Sequence, residues 1–393
     1  MKGGAAVLAL LATAAMLSGG CGDDDDLVWS VRRGHVGHFA PRGDEVFTIG
    51  DELAVYHAAS GQRLRRVALP RDFGNITNGQ LAPELVVTPT ALLVGWYDFA
   101  VEIGSVSCFD PSSLALRWEQ RVAWPWDATL RPTFAVAADG EHAYAVAVGK
   151  PGHNVFKFRL ADGQLTWARA LAAIPTPDRL VLHDRALIVA SRHTLADVEH
   201  VQLDAVETDG GTRRWRATLS GSTLLGVSPL VLGAHGYTAL YRRPGGLSLY
   251  AVRLDDGVTT RTDIGEDMDG RPVAEHDGIL YFGGLTPFAY DRRAARVRWT
   301  AAGDREMSAG AHGRFDAGRR LLHVGDPWHY VYAVDAETGQ VVRRTRIDTY
   351  VRYELNPVKA LFGSYGARRL ELHQGLVFVG TADSSLFVFR PAR

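Results

Sequence analysis

The sequence predicts an all-β protein, namely an eight-bladed β-propeller of four-stranded antiparallel blades whose ring is closed by the N-terminal strand. Three features of the sequence predict this fold. One hairpin pattern recurs along the chain, a second hairpin precedes each copy, and a lone strand near the N-terminus supplies the strand that the last repeat lacks. A repeat of roughly 40–50 residues is typical of propeller blades.

The clearest copy of the recurring hairpin runs from Val331 to Arg344. Small and large apolar residues alternate in its first strand, and β-branched residues open its second strand, as expected for strands packed in a core. A glycine in the connecting turn supplies the positive φ that such turns require. Seven copies place the following residues at this turn position: Gly61, Leu114, Gly163, Gly211, Gly257, Ala295 and Gly339. Successive copies are separated by 53, 49, 48, 46, 38 and 44 residues, which predicts a repeat architecture.

A second regularity lies four positions after the turn residue. This position holds a tryptophan in four copies, namely Trp118, Trp167, Trp215 and Trp299, and an arginine in the other three, namely Arg65, Arg261 and Arg343. Trp29, in a lone strand at the start of the domain, matches the tryptophan position of the other repeats. We expect the copies that lack the glycine or the tryptophan to form the less regular blades.

A first hairpin precedes each recurring hairpin, so each repeat has four strands. Its two-residue turns are predicted at positions such as Asp277-Gly278, Gln374-Gly375, Asp184-Arg185 and His235-Gly236. The last repeat ends after a single further strand, SLFVF. We therefore predict that residues 27–31 complete the last blade, because this pairing leaves no open sheet edge where the ring closes.

The N-terminus predicts export to the cell envelope. Residues 1–20 combine a short positive region, an apolar run too short to span a bilayer and small residues, which is the pattern of a signal peptide. Cys21 follows directly, and the segment resembles a bacterial lipoprotein signal in which this cysteine is lipidated. Ser18 occupies the place of the usual leucine, so an ordinary secretory signal or an uncleaved helix are the alternatives. Residues 21–26 form the lipidated cysteine with an acidic tether, and residues 27–393 form the propeller.

Composition excludes several classes of protein. The formal charge of −1 gives no reason to expect nucleic acid as a partner. The only cysteines are Cys21 and Cys108, so a disulfide framework is not expected, and Cys108 is predicted to be a buried core residue. The sequence predicts no catalytic residue, no metal ligand and no cofactor-binding residue, and it does not predict the oligomeric state.

The repeated segments, such as AVDAETGQVV and FRLADGQLTW, resemble the repeats of pyrroloquinoline-quinone-like (PQQ-like) β-propellers. In that family a turn glycine is followed by a tryptophan that packs between neighbouring blades, and the resemblance covers residues 27–393. One branch of the family consists of quinoprotein dehydrogenases, which hold quinone and calcium in the central funnel and usually carry a disulfide of adjacent cysteines. Cys108 stands alone in its strand, so we expect neither PQQ nor calcium.

The other branch is similar to this chain in its lipid anchor, size and eight blades. It is the non-catalytic propeller lipoprotein of the outer-membrane β-barrel assembly machinery. The resemblance implies a protein-binding scaffold of the cell envelope, lipid-anchored to the outer membrane and facing the periplasm. The alternatives are a PQQ-dependent dehydrogenase-like enzyme and an envelope polysaccharide-binding module.

Four aromatic residues outside the repeat positions are candidates for a partner-binding surface: Trp124, Trp126, Trp328 and Tyr330. They fall in predicted connections between strands, where a rigid scaffold usually presents its recognition residues. Such aromatic residues serve either to pack a loop against a blade or to contact a partner. The sequence alone leaves both interpretations open.

Overall fold

The structure is a computed structural model in which every regular element is a β-strand. It describes residues 26–31, 38–50, 52–69, 84–98, 103–122, 134–147, 154–171, 176–195, 198–221, 230–242, 246–266, 268, 270–284, 286–301, 312–325, 330–347, 367–381 and 385–392. These residues form eight separate four-stranded antiparallel sheets. The predicted fold class, an eight-bladed β-propeller, is confirmed.

The first strand of the chain, β1 (Leu27–Val31), belongs to the eighth blade. Blade 1 comprises β2 (His38–Arg42), β3 (Glu45–Ile49), β4 (Glu52–His57) and β5 (Arg63–Ala68). Blade 2 comprises β6 (Glu84–Val87), β7 (Leu92–Asp98), β8 (Ile103–Phe109) and β9 (Leu116–Arg121). Blade 3 comprises β10 (Phe134–Ala138), β11 (His142–Ala147), β12 (Val155–Arg159) and β13 (Leu165–Arg169). Blade 4 comprises β14 (Thr176–His183), β15 (Ala186–Leu195), β16 (Val198–Glu207) and β17 (Arg213–Ser220).

The remaining blades repeat the same order of strands. Blade 5 comprises β18 (Leu230–Leu232), β19 (His235–Arg242), β20 (Gly246–Arg253) and β21 (Thr259–Gly265). Blade 6 comprises β22 (Arg271–His276), β23 (Ile279–Gly283), β24 (Phe288–Asp291) and β25 (Arg296–Thr300). Blade 7 comprises β26 (His312–Asp316), β27 (Leu321–Gly325), β28 (Tyr330–Asp335) and β29 (Val341–Arg346). Blade 8 comprises β30 (Ala367–His373), β31 (Leu376–Thr381), β32 (Leu386–Phe389) and β1.

The two ends of the chain meet in blade 8. Strand β1 pairs antiparallel with β32, and Trp29 lies opposite Val388. The Arg390 N–H donates a further hydrogen bond of 2.9 Å to the Asp26 carbonyl oxygen. The N-terminal strand therefore completes the last blade, and this pairing removes the open edge that β32 would otherwise expose.

Burial follows the position of each strand within its blade. The second strand of blade 7, β27, is buried along its whole length, whereas the outermost strand β29 alternates half-buried and exposed residues. This pattern arises because the middle strands are covered by neighbouring blades on both faces, while the outermost strand lies at the rim. The apolar core consists of clusters between adjacent blades, such as the one that joins Leu93 and Cys108 of blade 2 to Phe156 of blade 3.

One turn differs from its predicted position. In blade 5 the first hairpin turns at Gly233 and Ala234, and the predicted turn residues His235 and Gly236 lie inside β19. The prediction was wrong by two residues because Gly233 takes the left-handed conformation, with φ of 54°. The turns without glycine keep the common geometry, since Leu114 and Ala295 have φ of 60° and 50°. The hairpins of blades 2 and 6 are thus built like the others.

Strand direction separates the two faces of the ring. The first strands of neighbouring blades are innermost, and they contact each other in every described pair of blades except blades 4 and 5. Because each blade is antiparallel, three features of every blade lie at one face of the ring. These are the start of the innermost strand, the connection from the second strand to the third, and the end of the outermost strand. We call this the connection face. The opposite face, which we call the turn face, carries the tight turns that end each hairpin.

Candidate functional site

Five blade-to-blade joints share one contact between a tryptophan and a glycine. Each tryptophan lies on the outermost strand of its blade and packs against the turn glycine of the next blade, in the pairs Trp29–Gly61, Trp118–Gly163, Trp167–Gly211, Trp215–Gly257 and Trp299–Gly339. A Cβ atom at these glycines would lie 2.5 to 2.9 Å from the nearest ring atom. The glycines also have φ between 68° and 76°, so both the space and the backbone favour glycine.

The indole N–H completes each joint. In all five pairs it donates to the carbonyl oxygen three residues before the glycine, at 2.8 to 3.0 Å, and the acceptors are Ala58, Leu160, Thr208, Leu254 and Ala336. A buried indole N–H needs such a partner, because leaving it unpaired would cost the free energy of its lost hydration. The repeated tryptophan is therefore a structural residue that fastens one blade to the next.

Two joints lack the tryptophan and also lack the glycine. Arg65 of blade 1 faces the blade 2 turn with Leu114, and Arg261 of blade 5 precedes the blade 6 turn with Ala295. The Arg65 guanidinium donates at 3.1 Å to the Pro111 carbonyl, again three residues before the turn residue. The arginine thus replaces the hydrogen bond of the indole, and without a ring against the turn a side chain fits there.

The joint between blades 7 and 8 differs from all of these. Arg343 occupies the tryptophan position and forms an ion pair with Asp26, which precedes β1. Beside it lies a small cleft of about 10 Å³, and its walls include His323, Arg390 and Ala392. Such a space is close to the minimum for one water molecule. The sequence prediction did not include His323, although a histidine within the apolar segment LLHVG was a visible signal.

Polar side chains link the innermost strands on one side of the ring. Arg314 of blade 7 makes a bidentate ion pair with Glu371 of blade 8, with N–O distances of 2.8 and 3.0 Å. Arg369 lies 3.3 Å from the same carboxylate and also contacts His38 of blade 1. His38 Nδ1 in turn accepts the Leu85 N–H of blade 2 at 3.2 Å. These links tie blades 7, 8, 1 and 2 together close to the axis.

The candidate partner-binding residues group at the connection face as far as the described strands show. Trp124 and Trp126 follow the end of β9, and Trp328 lies between β27 and β28; all three are outside the described residues. Tyr330 begins β28, is half-buried and stacks with the Arg344 guanidinium, whose carbon lies 3.6 Å from the ring centroid. Tyr330 also packs against the core cluster between blades 6 and 7.

Among the described middle strands, those of blades 4 and 5 are the longest. The strands β15 and β16 each have ten residues, and β19 and β20 each have eight, whereas β12 of blade 3 has five. The extra residues lie at the ends where the second strand leads to the third, which is the connection face. The described strands of these two neighbouring hairpins therefore extend further towards the connection face than those of blade 3.

The described residues offer little redox or metal chemistry. Within the described part of the chain, no group of three or more His, Cys, Asp and Glu side chains is placed to hold a metal ion. Cys108 is fully buried, and burial raises the pKa of its thiol to about 11. A thiol with so high a pKa stays protonated at neutral pH and is a poor nucleophile. Among the described residues, no helix is long and apolar enough to cross a bilayer.

The fold and its joints define the class of this protein, an eight-bladed propeller of the PQQ-like type. A family model described as outer membrane protein assembly factor BamB (PQQ_2) matches residues 21–224 and 106–345. The chain belongs to this family. The resemblance predicted from the repeats is thereby confirmed.

Solved structures agree with this fold. BamB from Moraxella catarrhalis is 13% identical with a TM-score of 0.61, and the match covers 93% of this chain and 99% of that one. The computationally designed Ika8 protein is 13% identical with a TM-score of 0.64, covering 93% and 100%. Quinohemoprotein alcohol dehydrogenase from Comamonas testosteroni is 11% identical with a TM-score of 0.62, covering 93% and 77%. Among curated proteins, no sequence matches the chain.

Proposed function

We propose that this protein is a non-catalytic propeller lipoprotein that binds protein partners in the cell envelope, at the periplasmic side of the outer membrane. The observation that carries the proposal is the family match from residue 21 to residue 345, whose description is an outer membrane assembly factor. The similarity to BamB from Moraxella catarrhalis extends over nearly the full length of both chains. A binding role also fits a rigid ring that presents many strand ends at one face.

The connection face is the proposed partner-binding surface. It carries the long hairpins of blades 4 and 5, and the segments with Trp124, Trp126 and Trp328 depart from strand ends at this face. The turn face is less suited, because its tight turns satisfy their own polar groups; Asp335, for example, accepts the backbone N–H groups of Glu337 and Thr338. Few polar groups there need an external partner.

Lipidation of Cys21 is the proposed means of anchoring. Asp26 is fixed at the edge of blade 8 by the Arg390 N–H and by the Arg343 side chain. Asp26 lies five positions after Cys21, and an extended chain over five positions spans at most ~18 Å. Lipidation would therefore hold the rim of blade 8 next to the membrane and leave blades 4 and 5, across the ring, furthest from it.

We further propose that the protein holds neither PQQ nor calcium. The dehydrogenase neighbours share the fold at 10–11% identity, which carries no information about a site. The chain's own residues do not fit the pair, because a disulfide of adjacent cysteines cannot form from Cys21 and Cys108. Calcium needs six to eight oxygen ligands, yet the Glu371 carboxylate near the axis is already taken up by two arginines.

The test is affinity purification of the tagged protein from crosslinked, detergent-solubilised envelopes. We expect envelope proteins of the β-barrel assembly type to co-purify, and palmitate to label the wild type but not a Cys21→Ser variant. Purified protein with a quinone absorbance and alcohol-dependent dye reduction would overturn the proposal in favour of the enzyme. Retention on peptidoglycan or polysaccharide without protein partners would overturn it in favour of a polymer-binding module.

A further inference from the structure

The joint between blades 7 and 8 carries charged side chains where the joint between blades 2 and 3 is apolar. Across blade 7, four residues lie directly opposite one another on successive strands, in the order Arg314, His323, Ala333 and Arg343. Residues opposed in this way share one face of the sheet. The corresponding row of blade 2 is apolar throughout and consists of Val86, Leu93, Cys108 and Trp118.

Both ends of the blade 7 row are held by carboxylates from across the joint. At the inner end Arg314 pairs with Glu371 of β30, and at the outer end Arg343 pairs with Asp26. Within the described part of the chain, no tryptophan ring fills the space between the two pairs. The apolar contacts that remain include Val331 and Ile347 of blade 7 against the core of blade 8, and Ala392 against Leu321 and Ala333.

His323 lies between the two arginines of the row and is the weak point of this joint. The residue is only 2% exposed, and its Nε2 atom is buried with no hydrogen-bond partner among the described residues. Burial lowers the pKa of His323 to about 4, with a smaller contribution from Arg319, while Asp316 acts in the opposite direction. Arg390 also lines the cleft beside the His323 imidazole.

We propose that the joint between blades 7 and 8 is a pH-sensitive latch, which opens when His323 is protonated while the tryptophan joints stay closed. A protonated imidazole would be a buried cation flanked by Arg314 and Arg343, with Arg319 and Arg390 nearby. The facing carboxylates Glu371 and Asp26 are engaged by arginines, and Asp316, the acid that favours the charge, is itself paired with Arg319 at 2.9 Å. Separation of the blades lets water reach the imidazolium and removes this cost.

Opening this joint would act on the ends of the chain. The segment Arg390–Ala392 and the residue Asp26 both lie at the joint, and both border β1, the strand that closes the ring. Acidification would therefore loosen the hold of the propeller on the segment that leads to Cys21. The opposite joint of blade 8 would keep the contact of Trp29 with Gly61, since neither residue titrates.

Hydrogen exchange of the purified full chain, measured at pH 7 and pH 5 and corrected for intrinsic exchange rates, tests the latch. If opening restores an ordinary pKa of 6.5 to His323, the opening equilibrium rises about twentyfold between these pH values. We expect that increase for backbone amides of β28, β29 and β32. The joint between blades 2 and 3, around Trp118, is the internal control and should be unchanged.

The His323→Leu variant should show no increase in exchange between pH 7 and pH 5. If this variant fails to fold, His323→Gln replaces it, because glutamine is polar but does not titrate. Equal exchange of the β28, β29 and β32 amides at both pH values in the wild type would overturn the proposal. A pH-dependent increase that persists in the folded variant would also overturn it, since His323 would then not be the group responsible.

Discussion

Trp29 and Gly61 lie against each other at the closure of the ring, although Trp29 is on the first strand of the chain and packs against the second hairpin of blade 1. A Cβ atom at Gly61 would lie 2.5 Å from the Trp29 ring, and the indole N–H donates to the Ala58 carbonyl at 2.8 Å. This is the same contact that joins four other pairs of blades. Closure thus uses the repeat contact and needs no special element.

The tryptophan and glycine of a joint should be energetically coupled. In the wild type, Gly257→Ala should destabilise the protein by about 1–3 kcal/mol, because the new Cβ would collide with the Trp215 ring. In a Trp215→Arg background, Gly257→Ala should lower the free energy of unfolding by less than about 1 kcal/mol. The natural joint of Arg261 with Ala295 already combines an arginine with an alanine at these two positions. Denaturant unfolding of the four proteins measures the coupling.

Gly43→Ala is the matched control for this cycle. Gly43 also has a positive φ, of 56°, but no atom lies within 4 Å of a Cβ placed there. The loss of unfolding free energy caused by Gly43→Ala should reflect backbone strain alone. It should be the same with tryptophan or arginine at position 215. Additive effects of Gly257→Ala and Trp215→Arg would show that the collision is not what keeps glycine at the turn.

The free energy of unfolding should fall with pH below 6.5 because of His323. The folded protein holds this imidazole neutral, with a pKa of about 4, whereas the unfolded chain binds a proton near the ordinary pKa of 6.5. The contribution is therefore complete above pH 6.5 and is lost as the pH falls towards 4, by at most about 1.4 kcal/mol per pH unit. Urea unfolding at pH 7, 6 and 5 measures the slope, and His323→Gln should flatten it; an equal slope in both proteins contradicts the assignment.

Cys108 should react with thiol reagents only after unfolding. Its side chain is fully buried, and the raised pKa keeps the thiol protonated at pH 8. In a Cys21→Ser protein, a chromogenic disulfide reagent should modify no thiol in buffer and one thiol per chain in denaturant. Fast modification in buffer would show that the joint between blades 2 and 3 opens readily, and Cys108→Ala identifies the reacting group.

Aromatic residues at the connection face should contribute to partner capture. Trp126→Ala and Trp328→Ala should each weaken capture about tenfold or more without changing the melting temperature, as expected for residues that anchor a partner. Tyr330→Ala should lower the melting temperature as well, because Tyr330 packs in the cluster between blades 6 and 7. Unchanged capture and stability in both tryptophan variants would remove these residues from the partner site.

The repeat pattern was enough to predict the fold, because the residues that form a blade are close together in the sequence. The spacing of Gly163, Gly211 and Gly257 predicts the blades, and the lone strand with Trp29 predicts the closure. The exact turn in blade 5 was missed because two glycines, Gly233 and Gly236, both suit a turn. Local preference cannot choose between them, whereas the register with β19 does.

The sequence by itself determined the number of blades, the four strands of each blade and the joining of the chain ends, since these follow from local periodicity. Only the tertiary structure decided which residues meet across a joint. It paired Arg65 with the turn of Leu114, and it placed His323 between Arg314 and Arg343, although these residues come from different strands. The physical reason is that contacts between blades depend on the register of whole sheets, and residues far apart in the chain must then share one buried space.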